Sequence, residues 1–435
     1  MDILRGILGL AFLIGVGYAL SVNRSLVQWR IILTGIILQV VFGIAVFKVP
    51  FINQGFSWLS SKFVAFLDFA RQGAVFLFGG LSVNSFTDAS AGHNLGFLFA
   101  FQALPTVIFF SAVTSGLYYI GFLQKIVKGF AWVMVRTMKL SGAEALSASG
   151  NIFMGQTEAP LLVKPFIKSM TQSELFCLMT GGMSTLAGSV LAVYVGMLGG
   201  SDPESQANFA TYLLCASIMN APAALVMSKL MMPESEPEKV DSRLQVNREQ
   251  LGVNLMDALA SGVGDGVKLA LNIGAMLLAF IAMILAFNWM LGGLGEWGGI
   301  NEWIRTSSAG AYKGLGLEYL LGQVFRVFAF SIGVEWTESL QVGSLLGKKM
   351  VLNEFLAYAD LSTFKAGGFL SEKAVLISTF ALCGFANFSS IAIQIGGIGG
   401  MAENRKSDLS RLGMRSMFAA FLATMMSATI AGAIF

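Results

Sequence analysis

One histidine, three cysteines and eight prolines in 435 residues leave several kinds of chemistry without reagents. Cys177, Cys215 and Cys383 each lie in an apolar stretch and form no close-spaced set, so neither a zinc cluster nor a disulfide framework is indicated. They are expected as small buried hydrophobes. His93, beside Asn94, precedes a long apolar run and is expected in a solvated loop. Intramembrane hydrolysis would want a Ser-His or Cys-His pair, or a metal set, and the apolar stretches hold none. Charge is scarce too, at 12% of residues against 55% hydrophobic, where a soluble surface needs roughly twice that charge. With a net charge of +3 and no basic cluster longer than a pair such as Lys348-Lys349, nucleic acid is excluded as a partner.

What is there is apolar length. A membrane-crossing helix needs about 20 mostly apolar residues. Stretches free of Asp, Glu, Lys and Arg run at 6–22, 31–47, 94–124, 175–200, 205–228, 269–295, 374–402 and 416–435, which makes eight candidate spans of an all-α polytopic membrane protein. The first stretch could pass for a signal peptide, but no small-residue cleavage pattern precedes a soluble domain, so it is taken as the first span. Residues 50–90 carry Lys62, Asp68 and Arg71 among Trp58, Phe63, Phe66 and Phe69, which predicts an amphipathic helix in the interface. The proline-containing polar segment 233–250 is expected as a cytoplasmic linker.

Two apolar regions, 142–168 and about 316–347, are interrupted by Gln156-Thr157-Glu158 and by Glu335-Trp336-Thr337-Glu338. An acid at membrane depth is costly unless it faces protein, water or ligand. Each region fits two half-helices of about 12 residues, reaching roughly 18 Å, about halfway through a ~30 Å core. This predicts two re-entrant helical hairpins whose tips line a cavity. Arg24 and Arg30, then Lys125, Lys128, Arg136 and Lys139, then Lys229, Lys239, Arg243 and Arg248, and finally Arg405, Lys406, Arg411 and Arg415 make every second loop basic. That pattern places both termini outside, the first hairpin on the cytoplasmic side and the second outside, with Lys348-Lys349 as the exception.

From each hairpin the order is hairpin, span, span, and the single span between the two sets reverses their orientation. Inverted repeats of this kind hold substrate near the midplane on broken helices. Gly181-Gly182 and Ser184 to Ser189 mark one break, Cys383 to Ser390 the other. Glu158 and Glu338 are weighed as ligand-facing acids against structural caps at half-helix N-termini. Trp336 is expected to fill a core, Arg326 to snorkel or to pair with an unidentified acid, and Glu354 to form a structural ion pair with Lys349 or a cap.

The stretch Gly347-Lys348-Lys349-Met350-Val351-Leu352-Asn353-Glu354-Phe355-Leu356-Ala357-Tyr358 resembles the signature of the concentrative nucleoside transporters: Gly or Ala, any residue, Lys, three residues, Asn-Glu-Phe-Val-Ala, then an aromatic residue or Met. Leu356 alone departs from it, standing where the family has valine. The segments Asn151 to Pro160 and Gly384 to Ser390 resemble family patterns as well, and the likeness runs over nearly the whole chain. The resemblance implies eight transmembrane helices, two opposed hairpins, a homotrimer in the lipid bilayer of the cell inner (plasma) membrane, and a transport domain that moves like an elevator. On that plan residues 1–140 and 263–315 form the scaffold, 141–232 and 316–435 the transport domain, and 233–262 the linker.

Carried over residue by residue, the resemblance implies that Gln156, Thr157, Glu158 and Val190 address the nucleobase. Glu338, Asn387 and Ser390 would hold the ribose, with Phe385 packed on the nucleoside. A carboxylate suits a diol's donors, and an amide both donates and accepts, as a base edge requires. The same resemblance implies a co-transported sodium ion between the side chains of Asn151 and Thr185 and the carbonyls of Met154 and Leu186. Thr185 stands where well-described members carry serine, and its hydroxyl is retained. The competing reading is a carrier of nucleosides or another small polar metabolite, coupled to protons through Glu158 or Glu338.

Overall fold

The computed structural model describes residues 2–82, 98–200, 202–241, 243, 252–308 and 310–435. His93, Asn94, Arg248 and the first residues of the third expected span lie outside them. Helices of eight or more residues are α1 (Asp2–Ala19), α2 (Trp29–Lys48), α3 (Pro50–Phe78), α4 (Leu104–Tyr119), α5 (Phe122–Met138), α6 (Gly142–Gly150), α7 (Gln172–Ser184), α8 (Gly188–Gly199) and α9 (Pro203–Met231). They continue with α10 (Leu255–Glu296), α11 (Ile300–Ser307), α12 (Leu317–Ser331), α13 (Ser339–Val351), α14 (Glu354–Ala366), α15 (Glu372–Leu382), α16 (Phe388–Met401) and α17 (Lys406–Ile434).

Eight stretches are long and apolar enough to cross a membrane, namely α1, α2, Pro50–Ser82, Phe99–Tyr119, Gln172–Gly199, α9, α10 and Glu403–Ile434. The number matches the expected count, but one member differs. Pro50–Ser82, expected in the interface, is long and apolar enough to be included, whereas the expected span 374–402 is divided into α15 and α16. The core lies in α7, α8, α9, α15 and α17, whose residues are mostly buried. In contrast, α10 turns Leu271, Leu278, Leu285 and Trp289 outward. Apolar surface of that extent suits hydrocarbon, where helices satisfy their own backbone.

Two matching units build the core. In the first, Ser141 and Glu144 form a capping box that opens α6, the chain folds back through Ala159–Val163, and Thr171 and Glu174 form a second box that opens α7. The break 185–187 separates α7 from α8, and α9 closes the unit with 29 residues. In the second, α13 and α14 fold back through Leu352 and Asn353, Ser371 caps α15, the break 383–387 precedes α16, and α17 closes the unit, again with 29 residues. The breaks touch, since a Cβ on Gly384 (φ +155°) would lie 2.6 Å from the Ser184 carbonyl oxygen.

In the second unit the turn expected as the hairpin tip is not the one that reaches the break. Helices α12 and α13 do fold back tightly at 332–338, with Gly343 so close to Gly322 that a Cβ would meet its carbonyl oxygen at 2.6 Å. Yet Glu335 and Thr337 are exposed and Trp336 is 52% exposed, beside the start of α1. There Arg5 pairs with Glu335 and donates to the Val334 carbonyl at 2.9 Å. The turn that reaches the break is the buried Leu352-Asn353. Within the polar run, residues 335–337 are exposed and Glu338 is half-buried.

Gly384→Ala should overpack the break and lower stability by about 1–3 kcal/mol, read as a lower Tm in detergent. Gly396→Ala, where a Cβ meets nothing within 4 Å, should leave Tm unchanged or raise it slightly.

Candidate functional site

The first turn begins at Asn151, the C-cap of α6, and stays non-helical to Glu158, after which Ala159–Val163 forms a 3-10 turn. It packs on the first break through a bond from the Gly188 amide to the Phe153 carbonyl (3.3 Å). Gln156 is buried and spans to α16: its Nε2 donates to Ser390 Oγ (3.0 Å), and its Oε1 accepts from Gln394 Nε2 (3.2 Å). Gln394 also donates to the Met179 carbonyl (3.1 Å). Thr157 faces Gly397, whose absent side chain leaves it room, since a Cβ there would lie 3.0 Å from the Thr157 methyl. The Glu158 carboxylate, half-buried, accepts from the Gly155 amide (3.3 Å) and feels Asp265 of α10 electrostatically. Val190 is buried in the first turn of α8.

Asn151 is fully buried, and neither its amide nitrogen nor its carbonyl oxygen has a partner among the described residues. Thr185, the C-cap of α7, donates to the Gly181 carbonyl (3.2 Å), and Gly181 lies directly against Asn151. Leaving buried polar atoms unpaired is costly, so such a group is available to a ligand. Amide, hydroxyl and carbonyl oxygens, with Met154 and Leu186 buried alongside, form a donor set suited to a hard cation such as sodium.

At the second break Asn387 caps α16 by accepting from the Ser390 amide (2.9 Å), and its Nδ2 donates to Glu354 Oε2 (3.0 Å). Tyr194 of α8 donates to Glu354 Oε1 (2.9 Å) and stacks on Tyr358 with ring centroids 4.1 Å apart. Glu354 is 2% exposed and is the acid in the first turn of α14, whose N-cap is Asn353, and no ion pair joins it to Lys349. Phe385 is half-buried beside Asn387. Glu338 is elsewhere, accepting from the amide and the hydroxyl of Ser371, so it does not meet Asn387 or Ser390. Arg326 finds no acid among the described residues. Its guanidinium lies 3.9 Å from the centre of the Trp336 ring and donates to Ser339 Oγ (2.9 Å), so Trp336 is a stacking partner at an exposed corner instead of core filling.

The structure thus joins the first turn to α16 through Gln156, and the second turn to the α15–α16 break through Glu354. Three family profiles cover nearly all of this architecture: Na+ dependent nucleoside transporter N-terminus over residues 8–81, nucleoside recognition (Gate) over 100–201, and Na+ dependent nucleoside transporter C-terminus over 212–432. The chain belongs to the Na+ dependent nucleoside transporter family.

An uncharacterized transporter of Haemophilus influenzae is 41% identical over 99% of this chain and 98% of its own length. Human sodium/nucleoside cotransporter 1 is 37% identical over 98% of this chain, which spans 63% of that longer protein. The structure of CNTnw in an inward-facing substrate-bound state is 38% identical, with a TM-score of 0.88 over 100% of this chain and 98% of that one. Another CNTnw structure, in an intermediate state, gives a TM-score of 0.90.

Within this member of the family, Gln394 and Tyr194 are contacts that the sequence did not single out, and Glu354 is one for which it suggested a structural role. Gln394 alone carried a visible signal, as an amide in an apolar run four residues after Ser390 and so on the same helical face. Gln394→Leu would leave Gln156 Oε1 and the Met179 carbonyl without their donor, lowering stability by about 1–3 kcal/mol, read as a reduced Tm of the solubilised protein.

Proposed function

We propose that this chain is a sodium-driven symporter that imports nucleosides across the cell inner (plasma) membrane by alternating access, a carrier and not an enzyme. The observation that carries this reading is the meeting of two helix breaks and two folded-back turns around Gln156, Ser390, Asn387 and Glu354, with the unpaired Asn151 next to them. Gln156, Thr157, Glu158 and Val190 address the base, whose edge both donates and accepts. Asn387 and Ser390 hold the sugar, and Phe385 packs on the nucleoside.

The acid for the ribose diol is Glu354 in place of Glu338. Asn387 already donates to Glu354, whereas Glu338 is held by Ser371. A buried carboxylate accepting from an amide and a phenol is a strong acceptor, and a ribose hydroxyl can replace either donor without leaving a buried charge unpaired. Sodium is held by Asn151 and Thr185 with the carbonyls of Met154 and Leu186. Both turns re-enter the membrane from opposite faces, the termini lie outside, and the unit comprising α6–α9 and α13–α17 slides as an elevator against α1–α5 and α10 of a homotrimer. The apolar outward face of α10 supports its place in the frame.

Uptake of labelled uridine into proteoliposomes should follow an inward sodium gradient, and dependence on a pH gradient instead would favour the proton-coupled carrier. No uptake under either gradient would sink the assignment. Glu354→Gln should slow uptake of ribosides more than of 3′-deoxyribosides, by roughly tenfold for a lost charge-assisted bond of about 1.5–3 kcal/mol, while Glu338→Gln should affect both alike. Asn151→Ala should raise the sodium needed for half-maximal uptake by about tenfold or more.

A further inference from the structure

Lys349 is the most deeply buried cation of the second unit, fully enclosed and paired with no acid among the described residues. Its ammonium donates to the Ala381 carbonyl (2.8 Å) and to Thr424 Oγ1 (3.0 Å). Ala381 lies in the last turn of α15, where helix carbonyls lack intrahelical partners and carry the negative end of the dipole. Thr424 leans on the break itself, with its methyl 3.0 Å from where a Cβ of Gly384 would be.

The same place in the first unit is the Asn151 pocket. Asn151 stands nine residues after the start of α6 and Lys349 ten after the start of α13. Their partners match as well: Gly181, against Asn151, is nine residues into α7, and Ala381, bonded by Lys349, is nine residues into α15. One unit has at its broken helix a buried side-chain amide with no partner among the described residues; the other delivers an ammonium on a side chain to the equivalent helix end.

We propose that Lys349 is a tethered cation occupying, in the second unit, the position that sodium takes in the first. The inference rests on the sodium site proposed at Asn151 and Thr185. An ammonium supplies the charge that a desolvated helix C-terminus requires without drawing an ion from solution, so a site that the repeat would otherwise duplicate is closed to sodium. The chain therefore moves about one sodium ion per nucleoside although its fold contains the pocket twice.

The test reads sodium-to-uridine stoichiometry from reversal potentials in proteoliposomes. The unsubstituted protein should give a ratio of about one, and a ratio of two or more would overturn the proposal. Lys349→Ser vacates the position and leaves a hydroxyl, and it should raise the ratio to about two, with the Hill coefficient for sodium rising from about one to about two. A ratio that stays at one in a transporting Lys349→Ser protein would overturn it. Should that variant not transport, sodium titration of Tm in detergent decides: Lys349→Ser should gain a second sodium-dependent rise that Lys349→Met, which fills the space, lacks. Identical titrations for the two would refute the tethered cation. Asn151→Ala in the otherwise unsubstituted chain separates the two readings. If it leaves sodium dependence intact, the first-unit sodium site is wrong; if it weakens sodium dependence while Lys349→Ser changes nothing, only the tethered cation is.

Discussion

The structure depends on two helices that stop halfway and stop against each other. A backbone released from helix at depth must find new partners. At the first break the Gly188 amide takes the Phe153 carbonyl, and Ser217 of α9 donates to the Ile152 carbonyl at 2.8 Å. At the second, Asn220 of α9 donates to the Cys383 carbonyl at 2.6 Å, and Asn387 caps α16. One helix, α9, therefore services the first turn and the second break from residues a single turn apart, and Gly384 is the residue that lets the breaks approach. The turns that cover the breaks inherit their positions from this junction, and so do the polar side chains they carry.

That arrangement separates the molecule into a packed interior and an apolar frame. The helices of the two units bury most of their surface in one another, whereas α1, α2, α3 and α10 offer the greater part of theirs to the surroundings. Among the polar contacts that cross from one to the other, Arg5 with Glu335 and Asp2 with Lys373 fasten the start of α1 to the α12–α13 corner and to α15. Exposed pairs of this kind contribute little stability individually, typically about 0–1 kcal/mol, and can exchange without large cost. A frame held to its interior mainly by apolar contact suits sliding better than one held by buried ion pairs.

Much of this was legible in the sequence, and the exceptions share a cause. Gln156 stood out as an amide in an apolar run, and the break at Asn387 showed as glycine and asparagine inside a span; both occupy the positions that those signals implied. Glu354 was misread because its partners, Tyr194 and Asn387, are 160 and 33 residues away, so the only neighbour that sequence offered was Lys349. Tyr194 was invisible for the converse reason, since an aromatic residue in an apolar helix looks like core until its hydroxyl is seen to have a carboxylate to bond. The polar run at 335–338 misled in the other direction. Apolar flanks on both sides fit a buried tip and an exposed corner equally, and periodicity carries no information about depth.

The two units are thus alike in plan and unlike in charge. The first turn brings amide, hydroxyl and carbonyl oxygens to its helix break, with Glu158 the only acid it carries; the second brings a lysine and a glutamate, five residues apart on either side of the turn. A desolvated lysine without an acid partner would be expelled or neutralised in a symmetric apolar core. Here the carbonyl end of α15 and the Thr424 hydroxyl retain it, and Glu354 is buried as an acceptor for Asn387 and Tyr194. The two units therefore differ at their turns, where one fold position is open to a diffusing ligand and its counterpart is filled by a side chain.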